Sequence, residues 1–95
     1  MKLWLDDLRP APVGWTGVHS VNDAVALVVL SVSPWDAASL DHDLGNYSFD
    51  GGDGWNFVLW MIKSGRWPNS KPVVHSMNPV GRLRMVQDID KYFPN

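Results

Sequence analysis

Three short apolar runs, each ending in residues able to do chemistry, constrain this chain more than any other feature of it. Leu3–Leu5 runs into Asp6 and Asp7, Ala37–Leu40 into Asp41, His42 and Asp43, and the run from Lys71 ends at His75 and Ser76 with Asn78 close behind. Runs this short and apolar throughout, separated by helix-length segments, read as parallel strands joined by right-handed crossovers and covered on both faces. The class is α/β. In such sheets ligands bind beyond the carboxyl ends of the strands, where the connections diverge. All three polar clusters follow a strand, so folding should gather them at one sheet edge.

The intervening segments fit this frame. A brief strand is expected around Val18 and His19. Ser20 or Asn22 can cap a helix whose apolar residues Val21, Ala24, Val25, Leu27, Val28 and Leu30 suit packing on a sheet, and which stops before Pro34. Gly45 to Gly54, with four glycines, reads as a loop and a mobile flap over the strand ends. Trp55 to Ser64 is apolar almost all round and predicts a buried helix closed by Gly65 and Pro68. Asn78 and Pro79 are the cap and first-turn proline of a last helix, in which Val80, Leu83, Val86, Ile89 and Phe93 mark the apolar stripe. Ninety-five residues without a repeat or a long linker make one domain, residues 1–95.

Composition narrows the chemistry. The chain has no cysteine, which excludes disulfides, thiolate zinc sites and thiol catalysis. Residues 1–53 carry eight Asp against Lys2 and Arg9, while residues 54–95 carry six Lys or Arg against Asp88 and Asp90. A net charge of -2 without a basic face argues against a duplex-binding protein. No apolar run reaches the length of a membrane span, and the start lacks the layout of a signal peptide, so a soluble cytoplasmic protein is expected. Every acidic residue is Asp, a short carboxylate suited to caps, turns and metal ligation.

Several carboxylates at one sheet edge repel one another unless a cation, a proton or an arginine compensates. Asp6, Asp7, Asp41 and Asp43 are therefore candidate ligands of Mg²⁺ or another hard divalent ion, against the plain alternative that each only caps a turn. Ser76, Asn78 and Arg82 fall at the start of a helix, where free N–H groups favour an anion, and with Arg9 they form a candidate phosphate cradle. His42, His75 and Asp41 are the candidate catalytic groups, although a lone histidine is more often structural. Trp15, in the Pro-rich loop directly after the acidic pair, is the tryptophan expected to stack on a base or ring. Trp55 and Trp60 are expected in the core, and His19 has no functional context.

With Leu-Asp-Asp closing the first strand, an acid after the middle one and Ser76 after the next, the chain resembles the receiver domains of two-component signalling. The likeness implies a truncated flavodoxin-like, three-layer sandwich on a short parallel sheet of three to four strands. It also implies metal at Asp6 and Asp7, the phosphoacceptor position at Asp41 and a phosphate-contacting hydroxyl at Ser76. The chain departs from receivers in lacking the last strand with its lysine and in replacing the first crossover helix by Arg9 to Trp15. A fuller match is to a small receiver-like family of bacteria and phages, proposed to process cyclic phosphates. It rests on Leu-Trp-Leu-Asp-Asp-Leu-Arg-x-x-Pro-x-Gly-Trp at 3–15, Ser-Leu-Asp-His-Asp-Leu-Gly at 39–45 and His-Ser-x-Asn-Pro-x-Gly-Arg at 75–82.

The function this resemblance implies is Mg²⁺-dependent hydrolysis of a cyclic phosphate or phosphodiester, with a nucleotide-derived or other phosphorylated small molecule as ligand. The alternative, from a different class, is a non-catalytic module that captures a phosphorylated ligand, a nucleotide signal or a partner protein. A sheet without the usual last strand also leaves an edge available for pairing with a second copy of the chain.

Overall fold

The computed structural model describes residues 1–32 and 34–94. Its elements, in chain order, are β1 (Lys2–Leu5), β2 (Thr16–Val18), α1 (Val21–Leu30), β3 (Ala37–Leu40), α2 (Gly54–Ser64), β4 (Val73–Val74) and α3 (Pro79–Tyr92). The four strands are all parallel and lie in the order β2-β1-β3-β4. The chain leaves β1 toward one edge and returns on its other side, so the topological switch falls between β1 and β3. Leu5 pairs with Leu40 across that switch, which places Asp6 beside Asp41.

The ladder continues one residue beyond the strands. Asp6 N–H donates to the Val18 carbonyl, Asp41 N–H to Leu5 and His75 N–H to Leu40, at 3.1, 2.8 and 3.0 Å. The three residues that begin the polar clusters are thus held by sheet hydrogen bonds rather than by free loops.

Strand periodicity sorts the side chains. Leu3, Leu5, Ala38, Leu40 and Val74 are buried, and the core completes itself with Val21, Ala24 and Val28 of α1, Phe57, Val58 and Met61 of α2, and Met85 and Ile89 of α3. The helices form one layer, with α2 between α1 and α3. Trp4, Ser39 and Val73 point to the opposite face. There the cover is the β1–β2 connection: the Trp4 indole N–H donates to the Arg9 carbonyl at 3.0 Å, and Trp15 packs edge-on against Trp4. A loop layer stands where the sequence puts Arg9 to Trp15 in place of a crossover helix, and Val73 remains 56% exposed.

Two of the three helix caps are those expected from the sequence. Ser20 caps α1 by accepting from Asp23 N–H, Asp53 caps α2 by accepting from Trp55 N–H, and Asn78 caps α3 by accepting from Gly81 N–H, with Pro79 in the first turn. Three expectations change. Gly45 to Gly54 is not a free flap: Gly45–Phe49 forms a 3₁₀ turn, and Asp50 accepts hydrogen bonds from Ser20 and Asn22 at the start of α1. The buried line of α3 is Gly81, Met85 and Ile89, while Val80 and Leu83 are exposed, because Gly81 packs on the His42 ring and this contact sets the rotation of the helix. Finally, α2 buries one face rather than its whole girth. Trp55 and Trp60 pack at the margin of the core, and Trp55 donates to Asp88 at 2.8 Å.

Candidate functional site

The carboxyl ends of β1, β3 and β4 open on a cleft of about 340 Å³ lined by Asp6, Asp7, Leu8, Arg9, Asp41, Asp43, Gly45 and Met77. Asp6 is only 2% exposed. One of its oxygens, Oδ1, accepts from the N–H groups of Leu8 and Arg9, both at 2.8 Å, so the carboxylate itself folds the chain after β1 into a turn. The other, Oδ2, lies 2.9 Å from His75 Nε2. Burial pushes the Asp6 carboxyl up, but the Arg9 and Leu8 N–H groups and the His75 ring outweigh it and hold the group below its ordinary value.

Asp41 behaves oppositely. Burial raises it, the neighbouring Asp6 charge raises it further, and the Ser76 hydroxyl, the His42 N–H and the His75 ring offset this only in part. The repulsion foreseen for acids at one sheet edge is therefore present between Asp6 and Asp41. Ser76 is buried, donates toward Asp41 and accepts from Asn78 N–H at 3.1 Å.

His75 is clamped on three sides. Its Nδ1 meets Ser39 Oγ at 2.7 Å, its Nε2 meets Asp6, and Trp4 lies flat against the ring, with centroids 4.0 Å apart and planes 6° from parallel. Asp6, Asp41 and His75 each offer one donor atom within 4.8 Å of the others, and among the described residues no other group of three potential metal ligands lies so close. Asp7 and Asp43, expected as ligands, line the same cleft outside this trio. Asp7 Oδ2 is set against Gly45, and Asp43 is occupied by His42 Nδ1 at 2.8 Å and by the Asn78 side-chain amide at 3.2 Å. The His42 contact, and then Asn78, hold Asp43 below its ordinary value against a small opposing effect of burial.

The other predicted residues are dispersed. His42 lies between Asp43 and Asp53 and faces a smaller hollow with Asn78, Val80, Gly81 and Arg84. Arg82 turns toward the β4 edge, its Nε near the Val74 carbonyl, and lines a separate groove with Lys71 and Asp90. Trp15 stays on the far face of the sheet beside Trp4, with the Lys2 ammonium over its ring. His19 packs against Tyr47. Of the basic candidates, Arg9 alone borders the acidic cleft.

Sequence reasoning missed Trp4, Ser39 and Asp53. The first two were accessible to it: Trp4 and Ser39 are register partners on adjacent strands, so alternation from the buried leucines assigns both to the face that His75 reaches.

The donor set suits a divalent cation, which would relieve the Asp6–Asp41 repulsion, with Arg9 at the rim to meet an anion. Among the described residues no helix is long and apolar enough to cross a membrane. A family model described as the cyclic-phosphate processing receiver domain matches residues 1–91. No curated protein and no solved structure matches the chain.

Proposed function

The chain belongs to the family of cyclic-phosphate processing receiver domains, and from that premise we propose that it hydrolyses a cyclic phosphodiester, of nucleotide origin, with the help of a divalent cation. The observation that supports this reading best is the meeting of Asp6, Asp41 and His75, the two acids lining a cleft that Arg9 also borders. Asp6 and Asp41 would hold the ion, which when bound offsets the charge of the carboxylates and of the phosphoryl oxygens.

The chain's own residues supply the rest. Arg9 is anchored through its backbone at both Asp6 and Trp4, so its side chain extends from a fixed turn and can present a two-pronged donor to non-bridging phosphoryl oxygens. Ser76 supplies a buried hydroxyl beside Asp41. In the hydrolysis, a water oxygen bonds to phosphorus, one ring P–O bond breaks, and the departing alkoxide takes up a proton to leave a phosphate monoester. His42 would serve proton transfer from outside the cleft: its Nδ1 meets Asp43, which lines the cleft, and that carboxylate would relay the proton to the rim.

The test is incubation of the protein with 2′,3′-cyclic and 3′,5′-cyclic nucleotides in the presence of Mg²⁺ or Mn²⁺. Monoester formation beyond one equivalent, abolished by Asp41→Asn, is the expected result. Absence of product from every substrate, with wild type and variant alike, would overturn the enzymatic reading. Calorimetric binding of the same nucleotides without turnover would assign the chain to the class of capture modules.

A further inference from the structure

We infer that His75 is itself a ligand of the cation, so that the site is built for a first-row transition ion of the Mn²⁺ or Co²⁺ kind rather than for Mg²⁺. The inference deepens the functional reading above and rests on it for the presence of a cation at Asp6 and Asp41.

The first support is spacing. Two donors at right angles around an ion, each about 2.1 Å from it, stand about 3.0 Å apart. His75 Nε2 and Asp6 Oδ2 are 2.9 Å apart, the separation of neighbouring ligands, and Asp41 lies within reach of both. The second is what lies behind the ring. A metal-bound histidine almost always has its other nitrogen fixed by a hydrogen bond, which sets the tautomer and the ring direction. Ser39 Oγ, in a residue only 4% exposed, meets Nδ1 at 2.7 Å, and Trp4 fixes the ring plane from one face. Such a clamp leaves Nε2 aimed at the carboxylates.

The third support is chemical. An imidazole nitrogen among two carboxylate oxygens shifts preference toward Mn²⁺, Co²⁺ and Zn²⁺, whereas Mg²⁺ favours all-oxygen surroundings and several retained waters. The two acids that would have completed an oxygen-only set, Asp7 and Asp43, stand outside the trio. Ser39 and Trp4 are positioning residues in this scheme, since they act on the ion through His75.

The direct test is pulsed electron paramagnetic resonance of the wild-type protein loaded with Mn²⁺, read for nitrogen coupled to the ion, together with calorimetric titration by Mn²⁺, Co²⁺ and Mg²⁺. The expected results are a nitrogen modulation from one imidazole and affinities for Mn²⁺ and Co²⁺ at least tenfold above that for Mg²⁺. His75→Asp should remove the modulation and narrow the preference for Mn²⁺ over Mg²⁺. Ser39→Ala should keep the modulation while weakening affinity by roughly 10- to 100-fold. Bound Mn²⁺ without nitrogen modulation in the wild type overturns the inference, and this measurement needs no variant to fold. Turnover of cyclic nucleotides with that outcome would leave the functional reading standing. Nitrogen-coordinated Mn²⁺ without turnover would sink the reaction and keep the ligand assignment, and failure to bind any ion would overturn both.

Discussion

Trp4 lies flat on the imidazole of His75, its own indole N–H spent on the Arg9 carbonyl. One side chain thereby fixes a ring of the candidate site and ties down the turn that carries Arg9. Trp4→Ala should cost about 0.5–1.5 kcal/mol for the lost ring pair, in addition to the loss of buried area. It should also change the environment of His75, read as a shift of its ring resonances by nuclear magnetic resonance. Trp4→Phe should retain much of the stacking energy but release the Arg9 carbonyl.

Asp41 carries a cost that its neutral isostere would remove. Its carboxyl lies above its ordinary value of 3.8 in the folded protein, because burial and then the Asp6 charge disfavour ionisation. Above that raised value the group is ionised in folded and unfolded chain alike, and the fold bears the penalty in full. As pH falls through the raised value toward 3.8, the folded state takes up the proton first and the penalty fades. Asp41→Asn should therefore raise the thermal midpoint at pH 7, with a smaller gain near pH 4, while losing turnover and weakening divalent-ion binding.

Asp50 reports on the opposite sign. Hydrogen bonds from Ser20, and then Asn22, hold its carboxyl below the ordinary value of 3.8. Its contribution is complete above that value and is lost as pH falls through the lower value of the folded state. Asp50→Ala should lower the midpoint at pH 7 and flatten the acid side of the stability profile, which thermal scans at several pH values would show.

Two glycines set the distances that bring the helices to the site. A Cβ at Gly54 would lie 1.8 Å from the Asp41 carbonyl oxygen, and one at Gly81 would lie 2.4 Å from the His42 ring. The first obstacle is backbone, so Gly54→Ala should cost about 3 kcal/mol or more in denaturant unfolding. At Gly81 the obstacle is a side chain with one neighbouring hollow, so Gly81→Ala should cost less and instead displace His42 from Asp43, raising the Asp43 carboxyl toward its ordinary value.

Arg9 separates binding from folding. Its backbone makes the turn with Asp6 while its side chain is exposed at the cleft. Arg9→Lys should leave the thermal midpoint within about 0.5 kcal/mol of wild type but raise KM for a cyclic nucleotide roughly tenfold, through loss of the two-pronged contact.

The strand ends were legible in the sequence because three apolar runs terminate in acids or histidine and because strand order in parallel sheets follows few rules. Caps at Ser20 and Asn78 were legible from local chemistry. The rotation of α3 was not, since Val80 and Leu83 fit the helical period as well as Met85 does, and the decision comes from the contact of Gly81 with His42, a residue 39 positions earlier. The division of labour among the polar residues was equally hidden. Sequence groups Arg82 with Asn78 and His42 with Asp41, but one helical turn and one step past a strand send Arg82 and His42 to separate hollows. Trp4 and Ser39 drew no role of their own because a strand read as uniformly apolar conceals its two-residue alternation.

The backbone amides of Asp6, Asp41 and His75 extend the sheet ladder past its assigned strands. Their exchange with deuterated solvent is accordingly tied to rupture of the sheet ladder, not to fraying of a surface segment. A ligand bound there would engage the sheet itself, so occupancy and resistance to unfolding should rise together.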